Sequence, residues 1–140
     1  MTGAWGFVAT DASGNCAARY GDALAMTIER LDATLVEGAD GAFTLDDVSF
    51  VAGMDNLEPR DLDPLSCTTD GETFTCEAWA SNRNWNVGGG RYIQDYWTLS
   101  GSWNNGGTTS VATMAGELRS VSGEPSDECS STTLLDGAPQ

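Results

Sequence analysis

Residues 67–76 read CTTDGETFTC, two cysteines bracketing a polar run centred on Asp70-Gly71. A pair at this spacing holds a metal, does redox chemistry or ties a hairpin shut. A four-thiolate zinc site draws on close pairs, roughly two to four residues apart. The 67/76 gap is wider than that, Cys16 and Cys129 stand alone, and no Cys-x-x-Cys occurs. With a turn centred on Gly71-Glu72, Cys67 and Cys76 fall opposite each other on neighbouring strands, within reach of a cross-strand bridge. The stretch therefore reads as a stapled hairpin. That leaves Cys16 to pair with Cys129, joining the end of the first strand to the start of the last. Structural disulfides imply an oxidising compartment.

Alternation of period two runs through the flanking sequence. In GAWGFVA, from Gly3, Trp5 and Phe7 share a face. In ALAMTIE, Leu24, Met26 and Ile28 alternate with Ala25, Thr27 and Glu29, and Asp40-Gly41 is a turn signal inside TLVEGADGAFTL. Val48, Phe50 and Ala52 alternate next, followed by the stapled pair at about 65 to 69 and 72 to 80. In RYIQDYWTLSGSW, Ile93, Trp97, Leu99 and Trp103 line one face against Tyr92, Tyr96 and Thr98. A turn at NNGG leads into TTSVATMAGELRS, and ECSSTTLL closes the pattern. No ten-residue stretch reads as a helix. The nearest candidate, AMTIERLDATLVE, is rich in Thr and Val and poor in 3.6-residue periodicity.

About eight short strands joined by hairpin turns predict an all-β fold, a single eight-stranded antiparallel up-and-down barrel over residues 1–140. Closure removes the two exposed edges of a meander. In such a barrel the first and last strands pair antiparallel, which brings Cys16 and Cys129 together. Two polar stretches interrupt the strands: GMDNLEPRDLDP at 53–64 and SNRNWNVGGG at 81–90. Long loops in compact domains often carry function.

The 140 residues are enough for one core that buries roughly two-thirds of the unfolded surface. The chain carries 21 acidic residues against 6 basic ones, all arginine, with no lysine or histidine and a net charge of -15. Phosphate backbones are bound by clustered Lys and Arg, so nucleic acid is excluded as a partner, and an anionic membrane surface repels the chain. Solubility and weak self-association follow, and a monomer is expected. Without His or Lys there is no Ser-His or Cys-His nucleophile, no His-ligated zinc and no Schiff-base lysine, so no enzyme, catalytic residue or cofactor is assigned. No apolar run is long enough to span a bilayer. Met1 is followed at once by strand-like sequence, so an exported chain, secreted or periplasmic, would have its leader absent here.

The sequence resembles a lipocalin-type or calycin barrel. Gly3-Ala4-Trp5 is similar to the Gly-x-Trp that opens the first strand in that family, and Gln94-Asp95-Tyr96 partly resembles its Thr-Asp-Tyr. The late Arg that packs on the first-strand Trp has no match in the final strand, Arg119 being only a loose counterpart. At pattern level the chain also resembles small exported bacterial barrels with a stapled hairpin and a late Cys-Ser-x-Thr strand. The resemblance implies an eight-stranded barrel whose centre holds a small, partly apolar ligand.

On that expectation Trp79, Trp97, Leu99 and Trp103 line the ligand site, or else fill the interior of a small barrel. Trp5 plugs one barrel end. Trp85, which no strand pattern requires, is a surface contact or a lid. Arg91 shares the face of Ile93 and Trp97 and is the candidate for neutralising an anionic ligand. No metal is assigned: Asp55, Glu58, Asp61 and Asp63 lack EF-hand spacing and read as a solvated acidic loop. Asp46 and Asp47, as neighbours on a strand, point to opposite faces and cannot form a glycosidase pair. The alternative is a structural component or protease inhibitor that binds a protein partner through its loops.

Overall fold

A computed structural model describes residues 1–52, 64–80 and 84–140. The strands are β1 (Gly3–Gly14), β2 (Ile28–Glu37), β3 (Ala42–Ala52), β4 (Leu65–Thr69), β5 (Thr73–Cys76), β6 (Trp79–Ala80), β7 (Trp85–Gly88), β8 (Arg91–Asn104), β9 (Thr109–Ser120) and β10 (Cys129–Pro139). One short helix, α1 (Cys16–Tyr20), follows β1. The ladder runs β5-β4-β3-β2-β1-β10-β9-β8, and β5 pairs with β8 to close it. The result is an eight-stranded antiparallel closed barrel.

Ten segments fill eight positions because β5, β6 and β7 lie end to end along β8. Phe74 faces Gly101, Trp79 faces Trp97 and Trp85 faces Ile93, so residues 73–88 trace one interrupted strand against the 14 residues of β8. The stretch 81–90, expected as a loop, is therefore partly strand. Its Trp85 and Val87 alternate toward the core while Asn86 and Gly88 face out.

Both disulfides form as predicted, Cys16–Cys129 and Cys67–Cys76. The hairpin register is Cys67↔Cys76, Thr68↔Thr75 and Thr69↔Phe74, centred between Gly71 and Glu72. Asp70 sets the turn: its Oδ1 accepts the N–H groups of Thr73 (2.7 Å) and Glu72 (2.8 Å).

Local structure departs from simple alternation at several places. Residues 22–24 form a 3-10 turn and Met26 takes φ 59°, so β2 begins at Ile28 and not with Leu24. Helix α1, too short for a helical period to show in sequence, seats Cys16 at the barrel wall. In β3 the bulge at Asp47-Val48, with Asp47 at φ 51°, sets two residues opposite Ala33 and switches the inward set from Phe43 and Leu45 to Val48 and Phe50. The acidic stretch with Asp55, Glu58, Asp61 and Asp63, read as a solvated loop, lies outside the described residues.

The connections are unequal at the two ends. Tight turns at 38–41, 70–72 and 105–108 close one end, while α1 and the 121–128 segment gather at the other. Among the described residues no helix is long and apolar enough to cross a membrane. Two disulfides are compatible with an extracellular or periplasmic setting.

Candidate functional site

The residues expected to line an internal site sit in the core. Trp97 and Leu99 are fully buried and Trp79 and Trp103 nearly so. They pack on other aromatics: Trp103 lies 4.6 Å from Phe74, 5.4 Å from Trp5 and 5.9 Å from Phe43, and Trp97 lies 5.9 Å from Phe50. Their polar edges are mostly engaged. Trp103 Nε1 donates to Thr69 Oγ1 (3.0 Å), Trp97 Nε1 to the buried Asp95 Oδ2 (2.6 Å) and Trp5 Nε1 to the Met1 carbonyl (2.8 Å), whereas Trp79 Nε1 is buried without a partner. Trp5 plugs the tight-turn end as expected.

Trp85 is half-buried against the core, turned inward from β7 beside Val87. Arg91 keeps the inward parity of Ile93, but as the first residue of β8 it emerges at the barrel end. Its side chain is 46 % exposed and its Nε donates to Asp127 Oδ2 at 2.8 Å, so it does not reach the interior. Arg119 lies on the outer wall, stacked on Tyr96 at 4.1 Å from the ring centroid and paired with Glu117.

A concave site forms instead outside the barrel, where four strands turn their solvent faces into a groove of about 570 Å³. Two cross-strand rows build it. Val36, Thr44 and Ser66 are successive partners across β2, β3 and β4, and Ala42, Thr68 and Thr75 across β3, β4 and β5. Leu35, Phe43, Cys67 and Cys76 alternate with them and point inward, so the stapled hairpin forms part of the groove's floor. The lining is chiefly methyl and methylene surface. Among the described residues its only charged members are Glu37 and Glu77, with no arginine among them. Glu37 Oε1 lies 3.1 Å from the Met1 amino group. Sequence reasoning missed this groove because it examined each strand's buried face. The hint available was the run of β-branched residues on the outward positions.

Two carboxyl groups among the described residues are shifted down. The Arg30 guanidinium, bonded to Asp32 at 2.8 Å, holds that carboxyl below its ordinary value. Asp70 is likewise lowered by the backbone N–H groups of Thr73 and Glu72. Among the described residues no group of three or more His, Cys, Asp or Glu is placed to hold a metal. Comparison with protein-family models, with curated proteins and with solved structures found no match to this chain.

Proposed function

We propose that this chain is an exported, non-enzymatic barrel that binds a small, partly apolar ligand, neutral or cationic, in the outer groove of β2 to β5. The observation that carries this reading is the groove's composition: apolar walls, a volume within the range of small-molecule sites, and, among the described residues, carboxylates as its only charges. An anionic head group would meet Glu37 and Glu77 inside a field set by a net charge of -15. The interior is the weaker candidate, since admitting a ligand there requires Trp97 or Trp103 to leave its packed position. The lipocalin-type resemblance contributes the start of β1 at Gly3-Ala4-Trp5 and a carrier-like scaffold, and the groove moves the site to the outer wall.

The test is a titration of the intact protein with an alkyl trimethylammonium and with the alkyl carboxylate of equal chain length. Saturable binding of the cation that is weakened by Val36→Arg or Thr68→Arg and unchanged in Trp103→Phe supports the groove. Cation binding insensitive to both groove variants overturns it, and loss of binding in Trp103→Phe alone moves the site to the interior. A second reading, a structural or inhibitory component that contacts a protein through its loops, is favoured by the gathering of the long connections at one end. Failure of both ligands to bind would move the weight to that reading.

A further inference from the structure

At the long-connection end, Arg19 and Arg91 converge on a single carboxylate. Arg91 Nε bonds Asp127 Oδ2 at 2.8 Å, and Arg19 Nη2 lies 3.7 Å from Asp127 Oδ1. The Asp127 side chain is 2 % exposed, while the Arg91 and Arg19 side chains are 46 % and 41 % exposed and line a polar groove of about 640 Å³. Tyr20 stands beside them, its hydroxyl donating to the Asp127 carbonyl at 2.5 Å. The remaining carboxylate on the wall, Glu128, accepts the Ser120 N–H at 3.1 Å.

We propose that this groove is a carboxylate-binding site, with Arg19 and Arg91 as its receptor and Asp127 as the group that holds them in place. Three features point there. First, one buried carboxylate holds two arginine side chains that line the groove and stay 46 % and 41 % exposed, and a planar guanidinium fork matches the two oxygens of a carboxylate. Second, the two arginines balance the two carboxylates of the wall, Asp127 and Glu128, so the groove is charge-neutral within a strongly acidic chain; a monoanion is tolerated there far better than a dianionic phosphate. Third, the other described arginines are engaged within their own strands, Arg30 with Asp32 and Arg119 with Glu117 and Tyr96, so this is where the described surface concentrates positive charge. The ligand's carboxylate belongs to a small organic acid or to the C-terminus of a peptide. This site is separate from the groove of β2 to β5 and does not depend on its assignment.

The experiment is a nuclear magnetic resonance titration of the full chain, following the arginine Nε–H signals as sodium acetate replaces sodium chloride at constant ionic strength. Saturable shifts at Arg19 and Arg91, with Arg30 and Arg119 unmoved, are expected. Arg19→Gln should weaken acetate binding by roughly tenfold, the loss of one charge-assisted hydrogen bond, while Arg30→Gln leaves it unchanged. A short neutral peptide with a free C-terminus that binds more tightly than acetate identifies a peptide end as the ligand, and equal binding identifies a small acid. Equal binding of the peptide with its C-terminus amidated overturns the carboxylate assignment. So do shifts that grow linearly with salt at all four arginines, and so does an unchanged affinity in Arg19→Gln.

Discussion

Trp97 on β8 stands directly opposite Gly116 on β9, and its six-membered ring fills the space a side chain at 116 would need: a Cβ there would fall 2.8 Å from the ring. The same relationship recurs twice. Phe7 faces Gly137, whose Cβ would meet the ring at 2.5 Å, and Phe74 faces Gly101, at 2.7 Å. Three of the inward aromatics thus lie over a glycine on the neighbouring strand, which is how a barrel of this size contains so many rings. Gly116→Ala should cost about 1 to 3 kcal/mol through overpacking. The cost should shrink in a Trp97→Leu background, so a double-mutant cycle by denaturant titration checks the coupling.

The two disulfides should contribute unequally. They close loops with sequence separations of 113 and 9 residues, for which the chain-entropy relation gives about 5 and roughly 2 to 3 kcal/mol. Replacing Cys16 and Cys129 with alanine should therefore lower the denaturation midpoint more than replacing Cys67 and Cys76. Non-reducing peptide mapping should recover both native pairs.

Acid should weaken the fold through Asp70 and Asp32. Each carboxyl is lowered in the folded state below the 3.8 of an unperturbed group. Their stabilisation is therefore fully present above that value and is lost as pH falls through the lower folded value. In thermal melts across pH, Asp70→Ala should be less stable than the parent at neutral pH. The gap should narrow below pH 3.8.

Removing Asp127 should be costlier than removing either arginine that it holds. Asp127→Ala takes away the carboxylate that Arg19 and Arg91 share at the seat of α1 and should cost about 1 to 3 kcal/mol. Arg19→Ala removes a half-exposed charge and should cost under about 1 kcal/mol. Chemical denaturation of the two variants side by side measures the difference.

What the sequence disclosed follows from which signals are local. The Asp70-Gly71 turn fixes the hairpin register and so the Cys67–Cys76 bridge. The long alternation from Ile93 to Trp103 fixes the inward face of β8 because nothing interrupts it. The bulge at Asp47-Val48 was hidden because it needs the partner strand to define it. Arg91 shows the limit of parity: alternation gives the side of a strand, while the position of residue 91 at the end of β8 decides that its guanidinium meets Asp127 and solvent. The groove of β2 to β5 draws its walls from segments as far apart as Val36 and Thr75, and the Phe7–Gly137 pair spans almost the whole chain. Neither is visible before the register is known.

The pairing of β1 with β10 also decides how the molecule would carry a mechanical load. Trp5 faces Pro139 and the ladder continues to Gly14 and Ser131, so tension applied at Gly3 and Pro139 pulls on two antiparallel neighbours from the same end. The strands part like a zipper, one rung at a time and at low force, because successive hydrogen bonds are loaded singly and not together. The opening stops at Cys16–Cys129, just beyond the last rung. Everything between those two cysteines is then shielded from the pull, and the chain extends only by the length of its first and last strands until the bridge is reduced.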